Sequence, residues 1–259
     1  MNVQSFRVNI LGVKVDDLSK EDLLDLILGT VNENKRAIIS YVNVHALNLA
    51  YRNSWFRDYL NSSDVVFCDG FGVKYAASFL YHRKIDRFTP PDWLPDLFGR
   101  CVEHDFSLFF LGSKPNMVEK AAQKLAMKVP GFQPIGTHHG YFDKNRLSLE
   151  NQDLIREINL AKPDILLVGF GMPVQEKWIL ENWNELDVKV VLPVGAAFDY
   201  LAEEVYRVPP WMTDHGFEWL GRLVIEPGRL WKRYILGNPL FFWRVFLQKI
   251  GIIKGKEVS

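Results

Sequence analysis

The chain has 259 residues, of which 48% are hydrophobic and 24% charged, and its formal net charge is zero. These values are ordinary for a folded globular protein. Two cysteines, Cys68 and Cys101, are too few for a disulfide framework and lack metal-ligand spacing, which fits a reducing compartment. No stretch reaches the ~18 uncharged apolar residues that span a bilayer, and the N-terminal residues lack the pattern of a secretory signal.

The charge is unevenly distributed along the chain. Residues 227–259 carry seven basic residues and one acidic residue, a net charge of +6, so the remainder carries −6. Bulky apolar side chains are interleaved with the basic ones in RLWKRYILGNPLFFWRVF, residues 229–246. A basic and aromatic tail of this kind indicates an anionic partner, either a membrane or a nucleic acid.

Apolar runs that alternate with helical patterns predict an α/β fold. In chain order the predicted elements are a helix at 20–33, strands at 37–43, 65–69 and 107–112, a helix at 115–128, a strand at 164–169, a helix at 174–184 and a strand at 189–195. Near-continuous apolar strands are typical of a parallel sheet that is covered on both faces. The pattern predicts a doubly wound, mostly parallel, Rossmann-like sheet.

The sequence changes character after Gly195. The pair Pro209-Pro210 is followed by a helical segment near 218–225, by the break Glu226-Pro227-Gly228 and then by the basic tail. We therefore predict an α/β core over residues 1–200 and a C-terminal helical, membrane-associating appendage over 201–259.

Polar or glycine-rich signals follow five predicted strands. Ligands of open parallel sheets bind beyond the carboxyl ends of the strands, so these signals are expected at one edge. Each also has a purely local interpretation: Asn43 could be only a helix cap, and Asp69 only a turn residue before Gly70. Their convergence favours a site. The signals are Asn43, Asp69, Gly112-Ser113, the group Gly169, Gly171 and Gln175, and the pair Gly195 and Asp199.

Cofactor motifs are weak in this sequence. GFGMPV, residues 169–174, lacks the third glycine of a dinucleotide fingerprint, and no lysine follows a glycine run as in a P-loop. No D-x-D motif is present, and the loop pair His138-His139 is more typical of a surface than of a metal site. We expect no cofactor and no metal.

Several segments together resemble the WecG/TagA/CpsF glycosyltransferases, glycosyltransferase family 26, bacterial enzymes that add a sugar to a lipid-linked acceptor. The resemblance runs from about residue 8 to about residue 236, nearly the whole chain. The segments that carry it are N-x-x-x-L at 43–47, CDG at 68–70, DRFTPPDWLPDLF at 86–98, GYF at 140–142, GFGMPVQEKW at 169–178, VGAAFD at 194–199, RVPPWM at 207–212 and FEWLGRLVIEPGRLWKRY at 217–234.

The resemblance implies a role for individual positions. It implies that Asp69 is the catalytic base, that Asn43 and Gln175 lie near the sugars, and that Arg87 and Tyr141 belong to the pocket. It further implies that Asp199 lies near the nucleotide and that Arg222 and Arg229 hold the diphosphate. One departure affects the donor: Tyr41 stands where the family usually has threonine, which would change the pocket volume beside the sugar.

The implied function is that of an inverting, metal-independent transferase. It would move a hexose or N-acetylhexosamine from a nucleotide sugar, expected to be UDP-linked, to a polyprenyl-diphosphate-linked sugar in cell-surface polysaccharide synthesis. The expected location is the cytoplasmic face of the bacterial inner membrane, as a peripheral protein. The oligomeric state is left open, an oligomer included.

The tail at 229–256 is expected to bind an anionic membrane surface. Two helical pieces are predicted, broken at Gly237-Asn238-Pro239 because proline disfavours a helical residue before it. In the second piece Leu240, Trp243, Leu247 and Ile250 recur at helical spacing, with Arg244 and Lys249 expected to reach lipid headgroups. One alternative is a helix packed on the protein's own core or on another subunit. The other is a nucleic-acid-binding module, which the many aliphatic residues of the tail disfavour.

Overall fold

The computed structural model of the protein describes residues 6–202, 212, 216, 218–225 and 227–253. The described residues fall into two compact units. The first unit takes them from Lys20–Ser40 and Pro90–Val205, and the second from Gln4–Ser19, Tyr41–Thr89 and Tyr206–Ser259. The domain boundary expected at residue 200 remains a prediction, because residues 203–211 lie outside the described part.

Eight strands are present in the described residues, and six of them form the predicted parallel sheet, in the order β4-β3-β8-β7-β5-β6. The five predicted strands are confirmed to within two residues at each end, and the sixth strand of this sheet, the three-residue β6, was not expected. The strands are β1 (Phe6–Ile10), β2 (Val13–Asp17), β3 (Ala37–Val42), β4 (Val65–Cys68), β5 (Leu108–Gly112), β6 (Gly136–His138), β7 (Ile165–Gly169) and β8 (Val190–Pro193).

Helices flank the sheet, so the fold is α/β as the sequence predicts. The three helices predicted from periodicity are confirmed as α1, α6 and α8. The helices are α1 (Lys20–Asn32), α2 (Val44–Arg52), α3 (Ser54–Ser62), α4 (Phe71–Tyr81), α5 (Pro90–His104), α6 (Met117–Lys128), α7 (Leu149–Ala161), α8 (Val174–Asn182), α9 (Ala197–Leu201), α10 (Glu218–Ile225), α11 (Pro227–Trp231), a π-helical turn (Lys232–Leu236) and α12 (Gly237–Lys249).

The core of the first unit surrounds β5, β7 and β8. Every residue of these three strands is buried, which is why their sequences are apolar without alternation. Aromatic rings fill the space beside β5. Phe110 lies 5.7 Å from Phe98, 6.0 Å from Phe132 and 5.1 Å from Phe198, measured between ring centroids.

An antiparallel hairpin opens the second unit and was not expected from the sequence. Strands β1 and β2 pair from Phe6 opposite Asp17 to Ile10 opposite Val13. The two-residue turn at Leu11 and Gly12 has φ of 53° and 87°. Two positive φ values match the twist of a hairpin, and such turns normally have the sequence Asn-Gly or Asp-Gly. Here leucine takes the first position, so the usual sequence signature of a hairpin is absent.

The C-terminal segment differs from the prediction of two pieces broken at Gly237-Asn238-Pro239. The π-helical turn runs directly into α12, which begins at Gly237, so Asn238 is helical. Pro239 is the third residue of α12 and follows the π-helical turn directly, so it lies where the regular pattern of helical hydrogen bonds is already interrupted. None of the helices in the described ranges is long and apolar enough to cross a membrane.

Candidate functional site

Asn43 and Asp69 meet at the ends of β3 and β4. The Asn43 Oδ1 atom accepts a hydrogen bond from the Ala46 N–H at 3.1 Å, which caps α2. Its Nδ2 group donates to Asp69 Oδ2 at 2.9 Å. The cap and the polar site are therefore not alternatives, because one amide serves both: the cap fixes its orientation and thereby fixes the bond to the carboxylate.

Two glycines after Asp69 let α4 begin close to α2. A Cβ atom on Gly70 would lie 3.3 Å from the Asn43 Cβ, and one on Gly72 would lie 2.3 Å from Val44 Cγ2. A side chain at either position would push the first turn of α2 away. The sequence DGFG thus keeps Asn43 within hydrogen-bond distance of Asp69.

The strand that carries Asp69 is held by buried polar contacts. The Asp16 carboxylate, only 2% exposed, accepts from the Val66 N–H at 2.8 Å and from Arg7 Nε at 2.8 Å. The Asp69 N–H itself donates to the Val42 carbonyl at 2.9 Å. These contacts fix the backbone from which the Asp69 carboxylate projects, half-buried, at the strand end.

Arg87 lies beside the same strand. The Phe88 N–H donates to the Cys68 carbonyl at 3.1 Å, and the Phe88 ring stacks on Phe67 with centroids 4.9 Å apart. The Arg87 guanidinium lies 4.7 Å from the centroid of the Phe71 ring. The backbone next to Arg87 is therefore held against β4 by the contacts of Phe88.

The charges of Asp69, Arg87 and Lys74 all affect the pKa of Cys68, at the end of the same strand. The pKa of the Cys68 thiol is raised to about 12, mainly by burial and to a smaller extent by the Asp69 charge, whereas the hydrogen bond to the Gly70 carbonyl and the charges of Arg87 and Lys74 act in the opposite direction. The thiol is accordingly protonated and inert near neutral pH. Tyr41 is buried, with its ring centroid 5.9 Å from that of Phe67. The second unit thus brings together four predicted residues: Tyr41, Asn43, Asp69 and Arg87.

The tail arginines are only partly described. Arg222 lies half-buried in α10, and the side chain of Arg229 in α11 lies outside the described part, as do residues 254–256 of the predicted membrane segment. Arg233, which the sequence did not single out, lies near His45 in the first turn of α2. Burial, followed by the Arg233 charge, lowers the pKa of His45 to about 4.

In the first unit, the turns after β5, β7 and β8 are joined by hydrogen bonds. The Ser113 N–H donates to the Gly169 carbonyl at 3.0 Å. The Ser113 hydroxyl donates to Asp199 Oδ1 at 2.5 Å. Ser113 therefore does not cap α6, whose N-cap is Asn116, but connects its strand end to the predicted nucleotide residue.

The glycines of these turns are required by close packing. A Cβ atom on Gly112 would lie 2.4 Å from the Gly169 carbonyl oxygen, and one on Gly169 would lie 2.8 Å from the Gly195 carbonyl oxygen. Backbone meets backbone here, so no larger residue fits without moving a strand end. The three turns form one compact edge made mostly of main chain.

Gln175 and Glu176 lie beneath that edge, in the first turn of α8, and both are buried. The Gln175 Oε1 atom accepts from the Gly171 and Gly195 N–H groups, at 3.1 Å each. Its Nε2 group donates to Glu176 Oε1 at 2.8 Å. Burial raises the pKa of Glu176 to about 7, against the opposing effect of the Gln175 hydrogen bond.

Tyr141 projects from a loop whose shape depends on Lys144. The tyrosine side chain is 64% exposed. The Lys144 Nζ group donates to the Gly140 carbonyl and lies 4.5 Å and 4.7 Å from the ring centroids of Phe142 and Phe170. Burial lowers the pKa of this lysine. Lys144 was not among the residues predicted from the sequence.

The described residues contain no cluster of three or more His, Cys, Asp or Glu side chains that could hold a metal ion. In the pair His138-His139, the His138 Nδ1 atom lies 2.8 Å from the His139 carbonyl oxygen. That ring nitrogen is thus engaged locally. Metal independence of the reaction stays a prediction.

Comparison with known proteins gives the family. The model of the glycosyl transferase WecG/TagA/CpsF family matches residues 8–254. Curated relatives include the N-acetylglucosaminyldiphosphoundecaprenol N-acetyl-beta-D-mannosaminyltransferases of Staphylococcus aureus strains NCTC 8325 / PS 47 and MRSA252, each 27% identical, and of strain MW2, 26% identical. Each alignment spans 255 residues and covers 96% of both chains. The chain belongs to the WecG/TagA/CpsF family and is a glycosyltransferase.

Proposed function

We propose that this glycosyltransferase moves a hexose or N-acetylhexosamine from a UDP-sugar to a sugar carried on a polyprenyl diphosphate, with inversion at the transferred carbon and without a metal. The names of the Staphylococcus aureus relatives support the acceptor, since those enzymes act on N-acetylglucosaminyldiphosphoundecaprenol. They transfer N-acetylmannosamine. Tyr41 is buried beside the strand that carries Asp69 and is larger than the usual threonine, so the transferred sugar is proposed only as a hexose or N-acetylhexosamine.

The observation that carries the proposal is the Asn43–Asp69 pair. A hydrogen bond of 2.9 Å from Asn43 orients the half-buried carboxylate. In the proposed step Asp69 takes the proton from the acceptor hydroxyl as its oxygen forms the new bond to the anomeric carbon. The bond from that carbon to the nucleotide breaks, and the diphosphate leaves with the electron pair. A positioned general base typically contributes about 10²–10⁴-fold in rate.

The first unit supplies the features that suit a nucleotide. Asp199, whose carboxylate accepts a hydrogen bond from the Ser113 hydroxyl, is proposed to accept hydrogen bonds from ribose hydroxyls. The glycine-rich turns after β5 and β7 let main chain approach a phosphate closely. Arg222 and Arg229 are proposed to stabilise the departing diphosphate, because a guanidinium pairs with two phosphate oxygens at once.

Helix α12 has one face packed and one exposed. Phe241 and Val245 are buried against α2 and α4. Arg244, expected at lipid headgroups, is instead buried on this packed face and donates to Asn48 Oδ1 at 2.6 Å. That expectation was wrong, because the charge faces the interior of its unit.

The other face of α12 is aromatic and exposed. Trp243 is 57% exposed, and Phe242, Phe246 and Ile250 are also exposed. Lys249, near the end of the helix, donates to the Leu80 carbonyl at 2.8 Å, which brings it beside the exposed Phe79 of α4. We propose that this face is the peripheral membrane contact, at the cytoplasmic face of the inner membrane, because exposed aromatic residues favour the lipid interface.

The catalytic proposal is tested by product analysis. Purified protein is incubated with a panel of nucleotide sugars and a short-chain lipid-diphosphate N-acetylglucosamine, and the products are identified by mass. The expected result is one added hexose or N-acetylhexosamine, with undiminished yield in EDTA. Complete loss of activity in EDTA, restored by Mn²⁺ or Mg²⁺, would contradict the metal-free mechanism. Failure of every donor to extend the acceptor would contradict the acceptor class.

The membrane proposal is tested by flotation with anionic liposomes. The double variant Trp243→Gln and Phe246→Gln should float poorly, because it loses the interfacial aromatic rings. Leu160→Gln is the matched control, since Leu160 is 83% exposed on α7 of the first unit. Arg244→Met should float like the wild type. Unchanged flotation of the double variant would exclude α12 as the contact.

A further inference from the structure

The side chain of Gln175 is fully buried, unlike that of a residue that contacts substrate. Its exposed surface is 0% although it lies in the first turn of α8, directly after a glycine turn. Its carbonyl oxygen accepts from two main-chain N–H groups, those of Gly171 and Gly195. One side chain therefore joins the turn after β7 to the turn after β8.

Glu176 determines which way the Gln175 amide faces. The Glu176 Oε1 atom accepts from Gln175 Nε2 at 2.8 Å, so the opposite end of the amide, the oxygen, must face the two glycine N–H groups. Glu176 is itself 2% exposed, and its Oε2 atom has no hydrogen-bond partner within the described ranges. An unsatisfied buried oxygen costs about 1–3 kcal/mol, which suggests that this carboxyl is kept for more than stability.

The two turns that Gln175 joins carry the nucleotide features of the first unit. Gly171 and Gly195 have φ of 82° and 59°, in the left-handed region where glycine is favoured. Gly195 lies four residues before Asp199, and the Ala197 N–H at the start of α9 donates to the Val194 carbonyl at 3.2 Å. A shift of the Gly195 turn would therefore move the start of α9 and the Asp199 carboxylate with it.

We propose that Gln175 and Glu176 form a buried brace that positions the glycine turns after β7 and β8 for the nucleotide, so that Gln175 is a positioning residue and does not touch the sugar. The inference depends on the proposed function in one respect only, namely that the ligand of these turns is a nucleotide. The brace itself rests on the hydrogen bonds of Gln175 and on its burial. Loss of a residue that contacts the sugar should leave the affinity for free UDP unchanged. Loss of a residue that holds the turns should weaken the binding of free UDP.

The experiment compares three variants of the full-length protein. Gln175→Met keeps the length of the side chain but removes both its donor and its acceptor. Glu176→Leu removes the acceptor that orients the amide, whereas Glu176→Gln keeps a carbonyl acceptor in the same place. Each is measured for hydrogen–deuterium exchange in peptides covering residues 170–175 and 194–199, for affinity toward free UDP, and for kcat and KM with the UDP-sugar that the wild type uses.

The brace predicts faster exchange in both peptides and weaker binding of free UDP for Gln175→Met and Glu176→Leu. We expect roughly a tenfold loss of UDP affinity, because the displaced turns would lose hydrogen bonds to the nucleotide; tenfold corresponds to about 1.4 kcal/mol. Glu176→Gln should restore both readouts toward the wild type. A rise in KM for the UDP-sugar should accompany the loss.

Two outcomes separate the brace from the proposed function. Unchanged exchange in Gln175→Met, or unchanged UDP affinity with a loss confined to sugar turnover, would overturn the brace and favour direct contact with the sugar. If the wild type bound no UDP while exchange still rose in both variants, the brace would stand as a structural device and the donor assignment would fall.

Discussion

Two pairs of polar residues follow strand ends in this protein, and their surroundings differ. Asn43 and Asp69, in the second unit, form a half-buried pair in which an amide orients a carboxylate. Gln175 and Glu176, in the first unit, form a fully buried pair in which a carboxyl orients an amide. A polar residue after a parallel strand can thus present a reactive group or hold the main chain, and burial decides between the two.

The largest effect is expected from the Asn43–Asp69 pair, which we propose faces the substrate. Asp69→Asn should lower kcat about 10²–10⁴-fold, because asparagine keeps the shape and cannot take a proton. The melting temperature should stay near that of the wild type. Asp58→Asn on α3 serves as the control, since the Asp58 side chain is 66% exposed. Retention of more than half of the wild-type kcat by Asp69→Asn would remove Asp69 as the base.

The buried pair should show itself in stability against pH. Glu176 has a folded-state pKa of about 7 against an ordinary value of 4.5, because burial disfavours its charged form. Its contribution is therefore fully present below pH 4.5 and is lost as the pH rises through 7. The shift corresponds to a loss on the order of 3 kcal/mol in the free energy of unfolding.

Chemical denaturation of the wild type and Glu176→Gln at several pH values checks this. The variant carries no titrating carboxyl at this position, so its stability should fall less between pH 5 and 8. Identical pH profiles for the two proteins would show that the pKa of Glu176 is not raised in the folded protein and would contradict this prediction.

A smaller effect separates the two functions of Asn43. Asn43→Ser keeps a side-chain oxygen that can cap α2 but loses the amide that reaches Asp69, whereas Asn43→Ala loses both. Only the alanine variant should lose stability, by about 1 kcal/mol. Both should lose turnover. Melting temperature and kcat, measured on the same samples, check the distinction, and full activity in Asn43→Ser would limit Asn43 to capping.

The sequence was informative where local chemistry decides the outcome. Buried parallel strands are apolar throughout, and Asn43 and Asp69 each follow such a strand, so the sheet and the position of both residues at one edge were predictable. The partners of Arg244 and Ser113 were not, because Arg244 pairs with Asn48, 196 residues away, and Ser113 with Asp199, 86 residues away. A basic residue in an aromatic tail is predicted to contact lipid headgroups unless the face of the helix that packs on the protein is known.

Glu176 was missed for a related reason. Charged residues in the first turn of a helix are common and stabilising when exposed, so the sequence QEK gave no sign that the middle residue is buried. Only the position of α8 against β8 and its neighbours determines that. Gln175 was predicted as a sugar contact from the resemblance, and its burial is what now supports the brace.

The affinity for free UDP, measured side by side in Asp69→Asn and Gln175→Met, tests the comparison most directly. Our account predicts wild-type affinity in Asp69→Asn, whose lost group acts on the acceptor. It predicts roughly tenfold weakening, about 1.4 kcal/mol, in Gln175→Met, whose lost amide is proposed to hold the turns. Weakened binding in Asp69→Asn together with unchanged binding in Gln175→Met would contradict the account, because the half-buried pair would then hold the nucleotide and the buried pair would not.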